Sequence, residues 1–157
     1  MHVDRQTEDE MEPQSALILG KLKEPARLDT IEKLVGFVSR LTREHGYSDE
    51  RIVEVEKAFT EVVSNIVNYA FRDVSGDIEI SCTLDRVGRM VFKIIDWGKP
   101  FNMLLASDPL FKDEFVEEGM PQPSARLIKK LAETAEYQRL DNLNYFYITF
   151  SPVTKQR

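Results

Sequence analysis

Residues 61–71 read Glu-Val-Val-Ser-Asn-Ile-Val-Asn-Tyr-Ala-Phe, and their apolar spacing predicts the end of a long helix. Its polar members Glu61, Asn65 and Asn68 follow one another at intervals of four and three residues, so in a helix they lie along one stripe. The apolar residues cover the opposite arc. A solvated face of an amphipathic helix is one explanation. Asparagine is a mediocre helix former, however, and two of them among β-branched residues favour a second, chemical explanation.

The chemical explanation rests on what these side chains do well. An asparagine carbonyl oxygen is a hard ligand that suits Mg²⁺, which keeps several waters and leans on substrate phosphates. A glutamate one turn earlier is placed to accept a proton from an attacking hydroxyl or water. Phosphoryl transfer needs mainly positioning and charge balance. On this explanation Glu61 is a general base and Asn65 is a metal ligand, while the solvated face remains the alternative.

Helices flank and contain this stretch. The apolar spacing from Leu28 predicts a first helix that ends near His45, just before Gly46. A second helix is predicted to begin at Ser48 or Asp49, in a capping region, and to run to about Phe71. A third is predicted from Ser124, as its cap, through about Ala132.

Alternating residues predict five strands, at 15–22, 77–85, 90–97, 135–140 and 143–150. The pair Ile94-Ile95 favours a central position for the strand at 90–97. The resulting order, β-α-α-β-β-loop-α-β-β, is typical of a two-layer α+β sandwich with helices on one face of a mixed, mostly antiparallel sheet. We expect one domain over residues 14–152, preceded by a flexible tail at 1–13.

Two further segments carry candidate chemistry. Asp96 ends an apolar strand and Gly98 follows, so the carboxylate is placed to accept a hydrogen bond from an adenine amino group while the glycine permits close approach. The alternative is an ordinary strand-end turn. The long segment 98–125 then leads into the helix at Ser124, whose N-terminus offers free N–H groups to an anion. Taken alone, Arg126 in this helix is explained as a solvated surface charge.

The composition excludes several classes of protein. The net charge is −6, the pI is about 5.1, and no basic cluster exceeds Lys129-Lys130, which disfavours direct nucleic-acid binding. No apolar run approaches the ~20 residues of a membrane helix, and the acidic N-terminus does not resemble a secretory signal. A single cysteine, Cys82, excludes a disulfide scaffold and favours a reduced, cytoplasmic setting. Its alternating context predicts a buried side chain.

The three segments, in this order, resemble the GHKL ATPases and, within them, the small anti-sigma-factor serine/threonine kinases. The resemblance covers about residues 15–150. Residues 61–71 resemble the N-box, with Tyr69 where many relatives carry histidine. Residues 96–102 resemble the first glycine box, with Asn102 in place of a common aspartate. The second glycine box departs from the family pattern, because Gln122 and Ser124 stand where glycines are typical.

The resemblance implies the histidine-kinase-like ATP-binding (Bergerat) fold with ATP and Mg²⁺ as cofactors. It implies a cytoplasmic homodimer that sequesters a sigma factor and phosphorylates a serine or threonine of a small antagonist protein. Glu61 would be catalytic and Asn65 would hold the metal. The implied ATP contacts are Asn65, Asn68, Tyr69, Asp96, Gly98, Phe101, Ser124 and Arg126.

Other functions remain open. A non-catalytic module that binds a partner through a degenerate nucleotide site is favoured by the altered second glycine box and disfavoured by the retained Glu61, Asn65 and Asp96. A phosphatase-associated or histidine-kinase-like domain is a third possibility, for which no phospho-acceptor histidine or dimerisation hairpin is visible. The first helix is either a dimerisation and partner-binding element, as in relatives, or an ordinary core helix.

Overall fold

A computed structural model of the chain describes residues 17–105 and 123–154. The α-helices and strands follow one another in the predicted order, and each is numbered in chain order. The strands are β1 (Gly20–Pro25), β2 (Asp77–Leu84), β3 (Met90–Asp96), β4 (Thr134–Leu140) and β5 (Leu143–Phe150). The α-helices are α1 (Ile31–Glu44), α2 (Asp49–Asn65) and α3 (Arg126–Leu131). The first helix was predicted from Leu28, and residues Leu28–Thr30 instead form a short 3₁₀ helix that leads into α1.

The strands form one five-stranded sheet in the order β1-β2-β3-β5-β4. All four neighbouring pairs are antiparallel, so the α+β fold class is confirmed and the predicted mixed sheet contains only antiparallel pairs among the described residues. The strand β3 is central, as the pair Ile94-Ile95 predicted. Because β3 pairs with the last strand, Asp96 at its end lies directly opposite Asn144 at the start of β5.

The core lies between one face of the sheet and the helices. Alternate residues of β3 are buried, which is what a strand with one covered face requires. The Phe92 ring of β3 meets the Phe59 ring of α2 edge-on, with centroids 5.2 Å apart. Cys82 is fully buried, as predicted from its alternating context.

The ends of the helices follow their sequence signals. Ser48 is the N-cap of α2, and its side chain accepts a hydrogen bond from the Arg51 N–H at 3.1 Å. Gly46 has φ +81° after α1, a conformation that glycine adopts without strain. No helix in the described ranges combines the length and apolar composition needed to cross a membrane.

The last turn of the long helix is wider than the sequence predicts. Residues Ile66–Ala70 form a π-helical turn that continues α2, and the Phe71 N–H reaches back to the Ile66 carbonyl at 3.2 Å. The predicted end near Phe71 is therefore confirmed, while the helix type changes at Ile66. Single π-helical turns within α-helices frequently lie at functional sites.

Two predicted boundaries are wrong. The strand predicted at 15–22 forms at Gly20–Pro25, because pairing with β2 runs from Gly20 opposite Cys82 to Pro25 opposite Asp77. Residues 17–19 lie outside it, and the predicted tail lies outside the described residues. The third helix begins at Arg126 with Ala125 as its N-cap and ends at Leu131. Ser124 precedes the cap, although its hydroxyl accepts a hydrogen bond from the Arg126 N–H at 3.3 Å.

A buried cation joins distant parts of the chain. The Arg51 side chain is fully buried and forms ion pairs with Glu54 at 2.8 Å and Glu133 at 2.7 Å. It also donates to the backbone carbonyls of Leu131 and Ser151, both at 2.9 Å. Arg51 therefore fixes the start of α2 against the end of α3 and the segment that follows β5.

Candidate functional site

Glu61 contacts the third helix directly. Its side chain is half-buried, and one carboxylate oxygen accepts a hydrogen bond from the Ile128 N–H of α3 at 2.9 Å. The first N–H groups of a helix have no partner within the helix, so this carboxylate satisfies one of them. The predicted general base therefore also has a structural role in this conformation.

Asn65 is buried, which excludes the solvated-face explanation for this residue. Its Nδ2 donates to the Ser124 carbonyl at 2.8 Å and lies 3.7 Å from the Met103 sulfur. Both partners are acceptors, so they fix the orientation of the amide. No described residue donates to Asn65 Oδ1. Oδ1, the side-chain atom that could bind a metal ion, therefore has no hydrogen-bond donor among the described residues.

The donor set around Asn65 is suited to Mg²⁺ only with help from a ligand. Within residues 17–105 and 123–154, no group of three or more His, Cys, Asp or Glu side chains is placed to hold a metal ion. Mg²⁺ commonly binds through one or two protein oxygens together with waters and substrate phosphates. Asn65 fits that mode of binding, in which the nucleotide brings most of the ligands.

Asp96 is buried at the end of β3. Its Oδ1 accepts hydrogen bonds from the Gly98 N–H at 2.9 Å and from Asn144 Nδ2 at 2.8 Å. Burial raises the pKa of Asp96 to about 6, although these hydrogen bonds and the charge of Arg139 act in the opposite direction. No described residue donates to Oδ2. This oxygen is available to accept a hydrogen bond from a nucleobase amino group.

Asn144 is the centre of a network that sequence reasoning missed. Its Oδ1 accepts from the Tyr137 hydroxyl at 2.6 Å and from Arg139 Nη1 at 3.1 Å. Its Nδ2 donates to Asp96 and also to the Lys99 carbonyl at 2.8 Å. A buried asparagine near the start of an aromatic strand was the available signal. Its relation to Asp96 depends on the strand order.

Gly98 brings the segment after β3 against the π-helical turn. A Cβ atom added at Gly98 would lie 2.5 Å from the Ala70 carbonyl oxygen. The same carbonyl accepts the Lys99 N–H at 2.8 Å. The glycine was predicted from close approach of a nucleobase, and the structure adds a different requirement, close approach of the helix backbone.

The remaining predicted residues differ in how they join the site. Tyr69 and Phe101 stack with ring centroids 5.2 Å apart, and Phe101 is buried. Asn68 is half-buried and Arg126 is exposed. Hydrogen bonds in the described part of the chain connect neither of these two side chains to the rest. Gly119, Pro121 and Gln122, part of the altered second glycine box, lie outside the described residues.

Comparison with known proteins identifies a family. The family model of the histidine kinase-like ATPase domain matches residues 24–149. No protein of curated function matches the sequence at a significant level. The fold is similar to the crystal structure of the RsbU and RsbW domains of Rv1364c from Mycobacterium tuberculosis, with a TM-score of 0.57 and 18% identity. That match covers 83% of this chain and 32% of the other, so the chain corresponds to about a third of it.

Proposed function

Since the chain belongs to the histidine kinase-like ATPase family, we propose that it is an ATP-dependent protein serine/threonine kinase that also acts as an anti-sigma factor. Its described helices and strands give the GHKL fold that the sequence resemblance implied, and the candidate residues from two motifs meet on the helix-covered side of the sheet. In this proposal Asp96 accepts a hydrogen bond from the adenine amino group, Asn65 holds Mg²⁺, and Glu61 receives the proton of the attacking hydroxyl.

One observation, made at both Asn65 and Asp96, supports the proposal that the site binds a nucleotide. Asn65 and Asp96 are buried, and each has one polar atom held by neighbours in the chain. The second atom, Asn65 Oδ1 or Asp96 Oδ2, takes no hydrogen bond from the described residues. Each of these oxygens is an acceptor that a ligand can use. A metal ion and an adenine amino group are partners of the right chemistry.

Phosphoryl transfer from this site requires one proton acceptor. Bound Mg-ATP supplies the γ-phosphoryl group and the cation that balances its charge. Glu61 takes the proton from the partner's serine or threonine hydroxyl as its oxygen attacks phosphorus, while the ADP oxygen leaves. For this, the carboxylate must release or share its bond to the Ile128 N–H. The N–H is then available to a phosphate oxygen.

The partners in this proposal are a sigma factor, a small antagonist protein with a phosphorylatable serine or threonine, and a second copy of the chain. The support is the sequence resemblance to anti-sigma-factor kinases together with a fold similar to a structure that includes an RsbW domain. The acidic net charge is compatible with basic protein surfaces. A cytoplasmic setting, as expected from the single cysteine, belongs to the same proposal.

One observation favours the alternative of a non-catalytic binding module. Glu61 and Asn65 both bond to the backbone around α3, at Ile128 and Ser124. Their presence therefore has a structural reason that does not depend on catalysis. A module of this kind would sequester its partner and leave it unphosphorylated.

Calorimetric titration with Mg-ATP tests nucleotide binding, and Asn65→Ala is the decisive variant. We expect saturable binding by the wild-type protein and a loss of at least tenfold in affinity for the variant. Thr60→Ala is the control, because it removes an exposed side chain from the same helix. Trp97 is next to Asp96 and 42% exposed, so its fluorescence gives a parallel signal. Absence of binding up to millimolar nucleotide contradicts the kinase proposal for the isolated chain.

Catalysis is tested separately with Glu61→Gln. The variant keeps a side-chain oxygen for the Ile128 N–H, but its neutral amide cannot take a proton. We expect Mg-ATP affinity within about threefold of wild type and phosphotransfer to the antagonist lower by roughly 10²–10⁴-fold. Tight binding of both partner proteins without phosphotransfer by the wild-type chain would instead establish the non-catalytic module.

A further inference from the structure

Asn144 on β5 has one possible orientation. Its Oδ1 faces two donors, the Tyr137 hydroxyl and Arg139 Nη1, while its Nδ2 faces two acceptors, Asp96 Oδ1 and the Lys99 carbonyl. A flipped amide would place an acceptor against the Asp96 carboxylate, an acceptor against the Lys99 carbonyl and a donor against the Arg139 guanidinium. The amide is therefore locked, and its N–H group points at the Asp96 carboxylate.

The lock also fixes the backbone beside Asp96. Arg139 Nη1 donates to the Gly98 carbonyl at 2.9 Å as well as to Asn144. Asn144 itself holds the next carbonyl, that of Lys99. The Gly98 N–H in turn donates to Asp96 Oδ1. Side chains from β4 and β5 thus hold two successive peptide groups and one carboxylate oxygen in place.

We propose that Asn144 is a positioning residue for nucleobase selection, which holds Asp96 Oδ1 and thereby presents Oδ2 to the 6-amino group of a purine. This inference rests on the proposed nucleotide-binding function and extends it to a residue outside the recognised motifs. Arg139 and Tyr137 contribute indirectly, because their hydrogen bonds fix the side chain of Asn144. Selection of adenine then depends on Asp96 Oδ2, a charged acceptor whose carboxylate is held in one orientation.

The charge of Asp96 is part of the same arrangement. An ionised carboxylate rejects a 6-oxo purine, which presents an acceptor where adenine presents a donor. Arg139 on β4 is the charged group that acts on Asp96, and the Tyr137 hydroxyl, also on β4, is the titratable group beside it. Burial raises the pKa of Asp96, while the Asn144 hydrogen bond lowers it and so keeps the carboxylate ionised near neutral pH.

The test compares ATP with inosine triphosphate, which differs in having an oxygen in place of the 6-amino group. We expect the protein with Mg²⁺ to prefer ATP by roughly tenfold or more, the scale of a hydrogen bond to a charged group. The preference should fall as the pH drops through about 6, where Asp96 gains a proton. Asn144→Asp keeps the side-chain shape but replaces the donor with a second carboxyl group, so we expect it to bring the ratio to within about threefold of one at pH 7.

Carbon NMR of the aspartate carboxyl groups gives a readout that needs no nucleotide. In N144D two neighbouring carboxyl groups share a proton, so the titration assigned to Asp96 should move upward by a unit or more. Gln138→Glu is the control, because it adds the same charge on β4 at a neighbouring position whose side chain alternates to the other face of the sheet. Neither the titration nor the ATP preference should move in Q138E.

If N144D does not fold, Arg139→Gln decides, because it removes one donor to Asn144 and one to Gly98 from a half-buried position. Its ATP preference should fall by at least threefold. Nucleotide binding with an ATP preference and an Asp96 titration that the variants leave unchanged would overturn the positioning role alone. Absence of nucleotide binding by the wild-type protein would overturn the proposed function, and base selection with it.

Discussion

The side-chain nitrogen of Asn65 and the backbone carbonyl of Ser124 are 2.8 Å apart, although 59 positions separate the two residues in the chain. The same nitrogen also contacts Met103. Residues on both sides of the undescribed stretch 106–122 therefore meet at one amide, whose oxygen is the candidate metal ligand. Occupation of that oxygen and the position of α3 are expected to depend on each other, since one side chain takes part in both.

Two substitutions of Glu61 should distinguish its structural role from its chemical role. Glu61→Ala leaves the Ile128 N–H without its acceptor, so we expect a loss of about 1 kcal/mol in the free energy of unfolding. Glu61→Gln should stay within about 0.5 kcal/mol of wild type, because its oxygen still accepts the bond. Urea denaturation measures both. Equal stability of the alanine and glutamine variants would show that the bond to α3 contributes nothing.

Gly98 should tolerate no side chain. In Gly98→Ala the new Cβ meets the Ala70 carbonyl oxygen at 2.5 Å, a backbone atom that cannot move without shifting the π-helical turn. We expect a loss of roughly 1–3 kcal/mol, as for other overpacked sites, and weaker nucleotide binding. Gly36→Ala is the matched control.

Gly36 lies within α1, and nothing lies within 4 Å of a Cβ added there. That substitution should therefore stabilise the protein by up to about 1 kcal/mol, through helix propensity alone. Thermal denaturation of the two variants side by side separates the contact at Ala70 from a general effect of alanine. Similar stability changes in both would contradict the close approach.

Asp96 should make stability depend on pH. Its pKa is raised from 3.8 to about 6 in the folded protein, so between these values the folded state binds more protons than the unfolded state. Stability is therefore lost as the pH rises through this window, by roughly 3 kcal/mol for a shift of about two pKa units. Above pH 6 the loss is complete and constant.

Asp96→Asn removes this cost while keeping an oxygen for the bonds from Gly98 and Asn144. We expect D96N to match wild type near pH 3 and to exceed its stability by roughly 3 kcal/mol at pH 8. ATP binding should be lost, since the amide would present a donor to the adenine amino group. A stability difference that is the same at both pH values would contradict the raised pKa of Asp96.

Arg51 should be among the most sensitive positions of the fold. Arg51→Met leaves the partly buried Glu54 and Glu133 without their cation, and we expect a loss of about 3–5 kcal/mol. Arg51→Lys should recover little, because an ammonium group cannot reproduce the planar set of donors. Arg40→Met is the control, since its pair with Glu44 is exposed and should be worth less than about 1 kcal/mol. Chemical denaturation measures all three.

Patterns that arise from local physics were predicted well. The residues of β2 alternate between polar and apolar types and β3 is a short, mostly apolar run, so the positions of both strands could be predicted to within a residue of the observed bounds. The N-cap Ser48 follows from side-chain chemistry, and the end of α1 just before Gly46 follows from the backbone freedom of glycine. The first strand was misplaced, because residues 15–22 have a strand-like pattern of their own. Pairing with β2 determines which residues form the strand, and it begins at Gly20.

The site was predictable only where its residues lie in one segment. Glu61 and Asn65 share a helix face, and Asp96 with Gly98 forms a short motif, so spacing was sufficient to select them. Asn144 could not be found in this way, because its role comes from lying opposite Asp96 across two paired strands. The π-helical turn was also hidden, since no residue in it signals five-residue hydrogen bonding.

The position of Arg51 has a consequence for how the protein is made. Its charge is neutralised and hydrogen-bonded only by groups that come 80 or more residues later in the chain, apart from Glu54. The central strand β3 likewise lacks one of its two neighbours until β5 has been synthesised. A nascent chain whose residue 151 is still inside the ribosome therefore holds an unpaired cation and an unfinished sheet. We expect the domain to resist protease only once residue 151 has emerged from the ribosome.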